Sequence, residues 1–363
     1  MNILIINCIL STAEHGVIKR KESISDCMIS NFARGFIELG HTVTLLASEE
    51  YKPTGPDSDL PFEVVYFPSR LPQVFKPGLL PWPRGMRQWL KGHADAYDMV
   101  IASESFQIAS LIAARVCPQR LVIWQELDRH QRLLFKLPSR FWHHVIVPLF
   151  MNKITVVPRS EPARRFISRY SRHVSNVIVD HGTDAHTLYP SDEVDKAFIV
   201  VSQLVERKRV DSIIRKFARL VGQEAYSGYR LDIIGDGDQA DELKRLAISL
   251  GIEDKVVFHG FMSHEQLAEP LRRSLALLVD TSSDLNMVTI AEAITSGTPV
   301  VTNMKPSTAS FIASKGLGVA RDGWDENDLI KVIEEYDTMH GACVNEGKEL
   351  TNVACARKMI GIK

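Results

Sequence analysis

Asp284 and Glu292 stand eight residues apart in 283-SDLNMVTIAEAITSGTPVV-301, on either side of the start of a helical pattern. A carboxylate can accept hydrogen bonds from two neighbouring hydroxyls at once. The unpaired N–H groups at a helix start favour an anion. Two acids around one such helix end therefore suit a ligand that carries hydroxyls as well as phosphates, and a nucleotide sugar does. One acid would hold the ribose and the other the sugar. The backbone N–H groups of Asn286, Met287, Val288 and Thr289 would face the diphosphate between them.

Two further stretches supply matching chemistry. In 202-SQLVERKRVD-211 the cations Arg207, Lys208 and Arg209 gather where a strand gives way to a helix, with Gln203 in the same loop. A helix N-terminus with Arg and Lys beside it is an anion site suited to diphosphate. In 233-IIGDGDQADELKRL-246, Gly235 and Gly237 permit a tight strand-to-helix turn, but Ala240 occupies the third glycine position of a dinucleotide fingerprint. By itself that run is a weak signal.

The elements needed to position these residues follow from the alternation of short β-branched runs with amphipathic stretches. Strands are expected at 2–7, 42–47, 63–67, 99–103, 120–124, 153–157 and 176–179, with a helix over 23–39. The polar run 181-HGTDAHTLYPSDEVD-195 marks a boundary. A second alternation follows, with strands at 197–202, 230–235, 255–260, 275–280 and 299–301 and helices at 209–222, 239–250, 264–273 and from 287 to the stop at Gly297. This is an α/β chain of two doubly wound domains, 1–190 and 191–363, with a last helix over about 344–360 that packs back on the first. Ligands in such sheets bind outside the carboxyl ends of the strands.

The chain of 363 residues is long enough for two cores, and 45% hydrophobic with 24% charged residues is ordinary for a globular protein. No apolar run reaches the roughly 18 residues of a membrane span. The opening MNILIINCIL passes into a strand-like run without a basic leader. The five cysteines lack metal or disulfide spacing, so the expectation is a cytoplasmic protein without zinc or a disulfide framework. Residues 1–180 carry 22 Lys/Arg against 16 Asp/Glu, and the remainder 21 against 28. The basic excess is small and dispersed, which argues against nucleic acid. Two segments, 68–93 and 132–150, combine prolines, aromatics and basic residues in a way that fits peripheral contact with a membrane face.

The order VVSQLVERKRVD, LDIIGDGDQADELKRLAISLGIEDKVVFHGFM, SSDLNMVTIAEAITSGTPVV resembles the donor half of retaining glycosyltransferases of the GT-B fold, glycosyltransferase family 4 (glycosyl transferases group 1), over about 120 residues. The resemblance implies two Rossmann-like domains facing across a cleft, the first for the acceptor and the second for the donor. It implies that Glu292 binds the ribose, Asp284 the donor sugar and Lys208 the diphosphate, with Gln203, Arg207, Gly235, Gly237 and Phe261 lining the donor site. Two positions depart from the family pattern: Gln203 stands where Arg is usual, and Asp284 where Glu is commoner. In the first domain, Gly16 stands for the glycine loop that faces the donor phosphates, though the usual double glycine is missing. Glu126, with His130 four residues on, lies near the place of the family's catalytic-cleft His, and Glu104 ends another strand.

The implied reaction transfers a sugar from a UDP- or GDP-sugar, UDP being favoured, to the hydroxyl of a glycan or lipid-linked glycan with retention of configuration. No cofactor is expected beyond this co-substrate. Cations rather than a metal would neutralise the leaving diphosphate. Two competing readings are a non-catalytic relative that binds glycan or nucleotide sugar beside a partner enzyme, and a sugar-nucleotide epimerase using His181, His259 and Glu126.

Overall fold

The computed structural model describes residues 1–11, 18, 20–55, 60–131, 133–283 and 287–362. The chain forms two compact units, Met1–Gly182 with Asn352–Lys363, and Thr183–Thr351. The expected division after 190 compares with this break after Gly182.

The first unit is built on strands β1 (Asn2–Ile6), β2 (Thr42–Ser48), β3 (Glu63–Phe67), β4 (Met99–Ser103), β5 (Leu121–Gln125) and β6 (Thr155–Pro158), with helices α1 (Met28–Glu38), α2 (Met86–His93), α3 (Ile108–Val116), α4 (Leu137–Phe141) and α5 (Glu161–Ile167). All strand pairs are parallel, in the order β3-β2-β1-β4-β5-β6. Alternate residues of β1 show why the runs are apolar throughout. Ile3 and Ile5 pack with Phe32 and Phe36 on one face, while Leu4 and Ile6 pack with Met86, Leu90 and Val147 on the other. A sheet covered on both faces has no polar side to alternate with.

The run 176–179 is not a strand. Val174 already bridges Val156 at the β6 edge, and Val179 instead turns inward, its carbonyl accepting from Trp124 Nε1 at 2.7 Å.

The second unit holds β7 (Ala197–Val201), β8 (Arg230–Ile234), β9 (Val256–Gly260), β10 (Ala276–Val279), β11 (Val300–Thr302) and β12 (Gly318–Ala320) with helices α6 (Val210–Val221), α7 (Ala240–Ser249), α8 (His264–Arg272), α9 (Val288–Thr295), α10 (Ala309–Lys315), α11 (Glu326–Glu334) and α12 (Tyr336–Gly347). Its parallel order is β12-β11-β10-β7-β8-β9. β12 was not expected from sequence: its three residues begin with Gly318, whose added Cβ would lie 2.1 Å from the Val300 carbonyl oxygen.

The expected helix over 344–360 is broken. α12 ends at Gly347, and α13 (Asn352–Ile360) belongs to the first unit, where it packs on α1. Gly35 makes that packing close, because a Cβ there would lie 2.2 Å from the Asn352 carbonyl oxygen. Among the described residues no helix is long and apolar enough to cross a membrane.

Candidate active site

The strand order of the second unit reverses between β7 and β10, since β8 and β9 lie to one side and β11 and β12 to the other. Such a switch point opens a crevice at the carboxyl ends of the two strands. The loop after β7 carries Gln203, Arg207 and Lys208, and the loop after β10 runs through Thr281, Ser282 and Ser283. The two loops are bonded to each other. The Arg207 carbonyl accepts from Ser282 N (2.9 Å), Ser282 Oγ (3.2 Å) and Thr281 Oγ1 (3.1 Å). Arg207 also donates from Nη1 to the Ser283 carbonyl at 3.5 Å and from Nη2 to Gln203 Oε1 at 3.4 Å. Lys208 lies half-buried in the short turn Glu206–Lys208 that precedes α6.

Arg209 is drawn away from this group. It enters α6 with a left-handed φ of 46°, and its guanidinium lies 3.4 Å from Asp280 Oδ1. Asp280, buried just past β10, is a centre that the sequence reading missed. It accepts from Ser212 Oγ (2.8 Å), Lys216 Nζ (2.6 Å) and Asn303 Nδ2 (2.9 Å). The signals were present as an acid ending one apolar strand, an Asn ending another, and a Lys on the apolar face of α6. A buried carboxylate with this many charged and polar partners is satisfied, and it locks the β7, β10 and β11 exits together.

Gly235 and Gly237 serve that assembly rather than touching open space. A Cβ on Gly235, whose φ is 134°, would lie 1.8 Å from the Ser202 carbonyl oxygen. One on Gly237 would lie 2.3 Å from the Leu204 carbonyl oxygen. Both glycines let the β8 turn press on the β7 loop that presents Gln203. Phe261 follows β9 and is 81% exposed.

α9 starts after Met287, which is buried, and Val288 and Thr289 form its first turn. Its end is the expected glycine stop. Gly297 N–H bonds to the Ile294 carbonyl and Thr298 N–H to the Ala293 carbonyl, with Gly297 at φ 75°. Glu292 is 3% exposed on this helix, with Oε1 2.9 Å from His264 Nδ1 at the start of α8. Among the described residues its Oε2 has no hydrogen-bond partner, and neither has Thr289 Oγ1. Asp284 and Asn286 lie outside the described residues, as does Gly16 of the first unit.

In the first unit the strand order reverses between β1 and β4, which puts Glu104, directly after β4, at the switch point. Its φ of 66° is the left-handed region, unusual for a non-glycine residue. Its carboxylate accepts from the N–H groups of Glu126 (2.5 Å) and Leu127 (3.3 Å). Burial foremost, then the Glu126 charge, pushes its pKa up to about 8. Glu126, one strand over, is engaged by Arg159 Nη1 at 2.5 Å, and that guanidinium lies 3.6 Å over the Trp124 ring. His130 is a packing residue. It bonds Ser139 Oγ and the Tyr170 hydroxyl within a cluster of His143, Phe166 and Tyr170 rings. His181 pairs with Asp180 at 3.1 Å and His259 with Asp232 at 2.9 Å.

Residues 185–339 match the model of the family Glycosyl transferases group 1. The alpha-monoglucosyldiacylglycerol synthase of Streptococcus pneumoniae is 27% identical over 141 residues, 39% of this chain and 31% of that protein. The chain therefore spans under a third of that relative. The lipopolysaccharide core biosynthesis glycosyltransferase LpsE of Rhizobium meliloti is 29% identical over 281 residues, 72% of this chain and 78% of that protein. Among solved structures, Anabaena HepE in complex with UDP superimposes with a TM-score of 0.67 at 14% identity, covering 99% of each chain. The fold is thus that of the GT-B glycosyltransferases, with a Glycosyl transferases group 1 region in the second unit.

Proposed function

We propose that this protein is a retaining glycosyltransferase of family 4 that moves a sugar from a nucleotide-sugar donor to a hydroxyl of a glycan or lipid-linked glycan. The donor is a UDP-sugar in preference to a GDP-sugar. The setting is the synthesis of a bacterial cell-surface glycan on the cytoplasmic side.

One observation carries the reading. At the switch point of the second unit, a loop bearing Arg207 and Lys208 is bonded to the β10 exit loop. The helix that this exit loop leads into buries a carboxylate with one oxygen unpartnered among the described residues. A nucleotide sugar demands cations for its diphosphate and a carboxylate for its hydroxyls, and these residues offer both kinds of group. Relatives named for lipid glycosylation and lipopolysaccharide synthesis, and a UDP-bound neighbour of the same fold, support it.

In the reaction the bond between the anomeric carbon and the diphosphate oxygen breaks, and the nucleoside diphosphate leaves with the electron pair. The acceptor oxygen attacks from the same face and its proton passes to the departing phosphate oxygen. Lys208 and Arg207 stabilise the charge that develops on the leaving group. Electrostatic donors of this kind contribute about 3–4 kcal/mol each to the transition state. Glu292 fixes the ribose through Oε2, held in place by His264 on Oε1. Asp284 grips the donor sugar. With the diphosphate neutralised by side chains, turnover needs no metal.

The test is an assay of nucleoside diphosphate release with UDP- and GDP-sugars, with and without lipid-linked glycan acceptor and with chelator. Acceptor-dependent release that survives chelator, with an axial product from an axial donor, is expected. Release that requires no acceptor, conversion of the donor to another sugar nucleotide, or inversion at the anomeric carbon overturns the reading.

A further inference from the structure

We infer that the face of the first unit formed by Leu134–Phe141, extended by the segment 68–93, is a docking surface for an anionic lipid bilayer. Leu134, Phe135, Leu137 and Phe141 are 68, 92, 63 and 60% exposed, and Leu149 is exposed further along. Leu134, Phe135 and Lys136 have φ of 42°, 53° and 69°, a left-handed turn that leads into α4. Beyond α4 the chain continues as a π-helical segment, Trp142–Met151. Ser139 of α4 and His143, Val147 and Met151 of this segment, spaced by four, are buried, while Phe141, His144, Leu149 and Phe150 are exposed.

The charges on this face have one sign. Lys136 and Arg140 are exposed between the apolar residues. His130 lies below its ordinary pKa through burial first, and then through Arg140, His144, Lys136 and Arg169, so these cations gather over one region. Arg115 lies 5.0 Å over the Phe150 ring. No Asp or Glu occurs from residue 129 to 160.

The second segment adjoins the first through the β4 exit. Trp142 Nε1 donates to the Ser105 carbonyl at 2.8 Å, and Gln107 Nε2 to the Leu79 carbonyl at 3.3 Å. It too is free of acids, from residue 64 to 94, and exposes Leu71, Val74 and Leu79 beside Arg70 and Lys76. Protruding apolar tips interleaved with cations suit an interface where tails receive the tips and phosphate headgroups the charges. A protein partner would call for a groove or for acids among the cations, and this face presents neither among its described residues.

The inference is independent of the donor chemistry, and its test reads no activity. The full chain is floated with vesicles of phosphatidylcholine alone and of phosphatidylcholine with phosphatidylglycerol in equal parts, at low and high salt. Two variants are compared: Leu134→Ser/Phe135→Ser/Leu137→Ser, and Lys136→Glu/Arg140→Glu. All five side chains are exposed, so the thermal transitions should match the wild type. The wild type should float with the anionic vesicles in low salt and far less with the neutral ones. The apolar variant should lose partitioning about a hundredfold and the charge variant about tenfold. Failure of the wild type to float with anionic vesicles, or flotation of both variants like the wild type, overturns the inference. So does a concentration-dependent wild-type dimer in vesicle-free solution that the apolar variant abolishes without any flotation, which would make the occupant a second copy.

Discussion

Glu292 has one carboxylate oxygen held by His264 and one left unpartnered among the described residues. A buried carboxylate oxygen without a donor is costly unless a ligand supplies one. Glu292→Gln should therefore weaken binding of UDP by about tenfold, since hydrogen bonds to a charged group contribute about 1.5–3 kcal/mol; titration calorimetry reads it, and an unchanged dissociation constant makes Glu292 a packing residue. Asp280 works differently, because it is saturated by protein partners. Asp280→Ala leaves Lys216 buried without its anion and should cost about 3 kcal/mol of stability in the second unit, measured by denaturant unfolding. A loss under about 1 kcal/mol would show that the cluster holds nothing together. At this scale the sequence was legible where a motif fixes spacing: the Gly297 stop falls as read, Glu292 lies on the helix it ends, and Lys208 lies in the turn before α6. It was illegible where partners come from distant strands. Asp280 gathers Ser212, Lys216 and Asn303, and nothing in local spacing joins residues 64 to 68 and 23 positions away.

The strand exits carry the candidate site residues, and their geometry adds contacts that local sequence does not show. Gly235 and Gly237 were read as allowing a tight strand-to-helix turn, and the backbone that approaches them is that of the β7 loop. Gly235→Ala must displace backbone against backbone and lose a left-handed φ. It should destabilise by at least about 3 kcal/mol and lower UDP affinity through the misplaced loop. A variant with wild-type unfolding midpoint would show that the turn is not tightly packed. In the first unit, Glu126 and Glu104 were both read at strand exits; the topology puts Glu104 at the switch point with Glu126 one strand over, its N–H bonded to the Glu104 carboxylate. Local periodicity could not show this, because which strand neighbours β1 is decided by the crossover.

The raised pKa of Glu104 has a consequence of definite sign. Between the ordinary value of 4.5 and about 8 the unfolded chain ionises this carboxyl while the folded chain keeps it protonated. Stability is thus lost as pH rises through that window. Glu104→Gln should match the wild type at pH near 4 and exceed it by about 1–2 kcal/mol near pH 8, the size being discounted for partial exposure. Urea unfolding at the two pH values measures it; a gain equal at both refutes the assignment.

At the scale of the molecule, the repeated alternation of strand and helix made two doubly wound units readable, because strands buried on both faces announce themselves as unbroken apolar runs. What escaped was short or set by contact with distant chain. β12 is three residues beginning with glycine, the run 176–179 meets the edge strand β6 through Val179 N–H on the Pro158 carbonyl without forming a strand, and α13 parts from α12 because Gly35 offers it a seat on α1. The basic bias of residues 1–180 acquires a location in the acid-free stretches 64–94 and 129–160.

The central claim is that the second unit grips a nucleoside diphosphate between the Lys208 loop and the α9 carboxylate. Its most direct measurement is calorimetric titration of the wild type, Lys208→Ala and Glu292→Gln with UDP and GDP, paired with turnover of the corresponding sugars. Saturable binding by the wild type, tighter for UDP, is predicted. Affinity should fall in both variants, and turnover of Lys208→Ala should drop by about a hundredfold or more at unchanged thermal stability. Binding of neither nucleotide by the wild type, or equal binding and turnover in all three proteins, would contradict it.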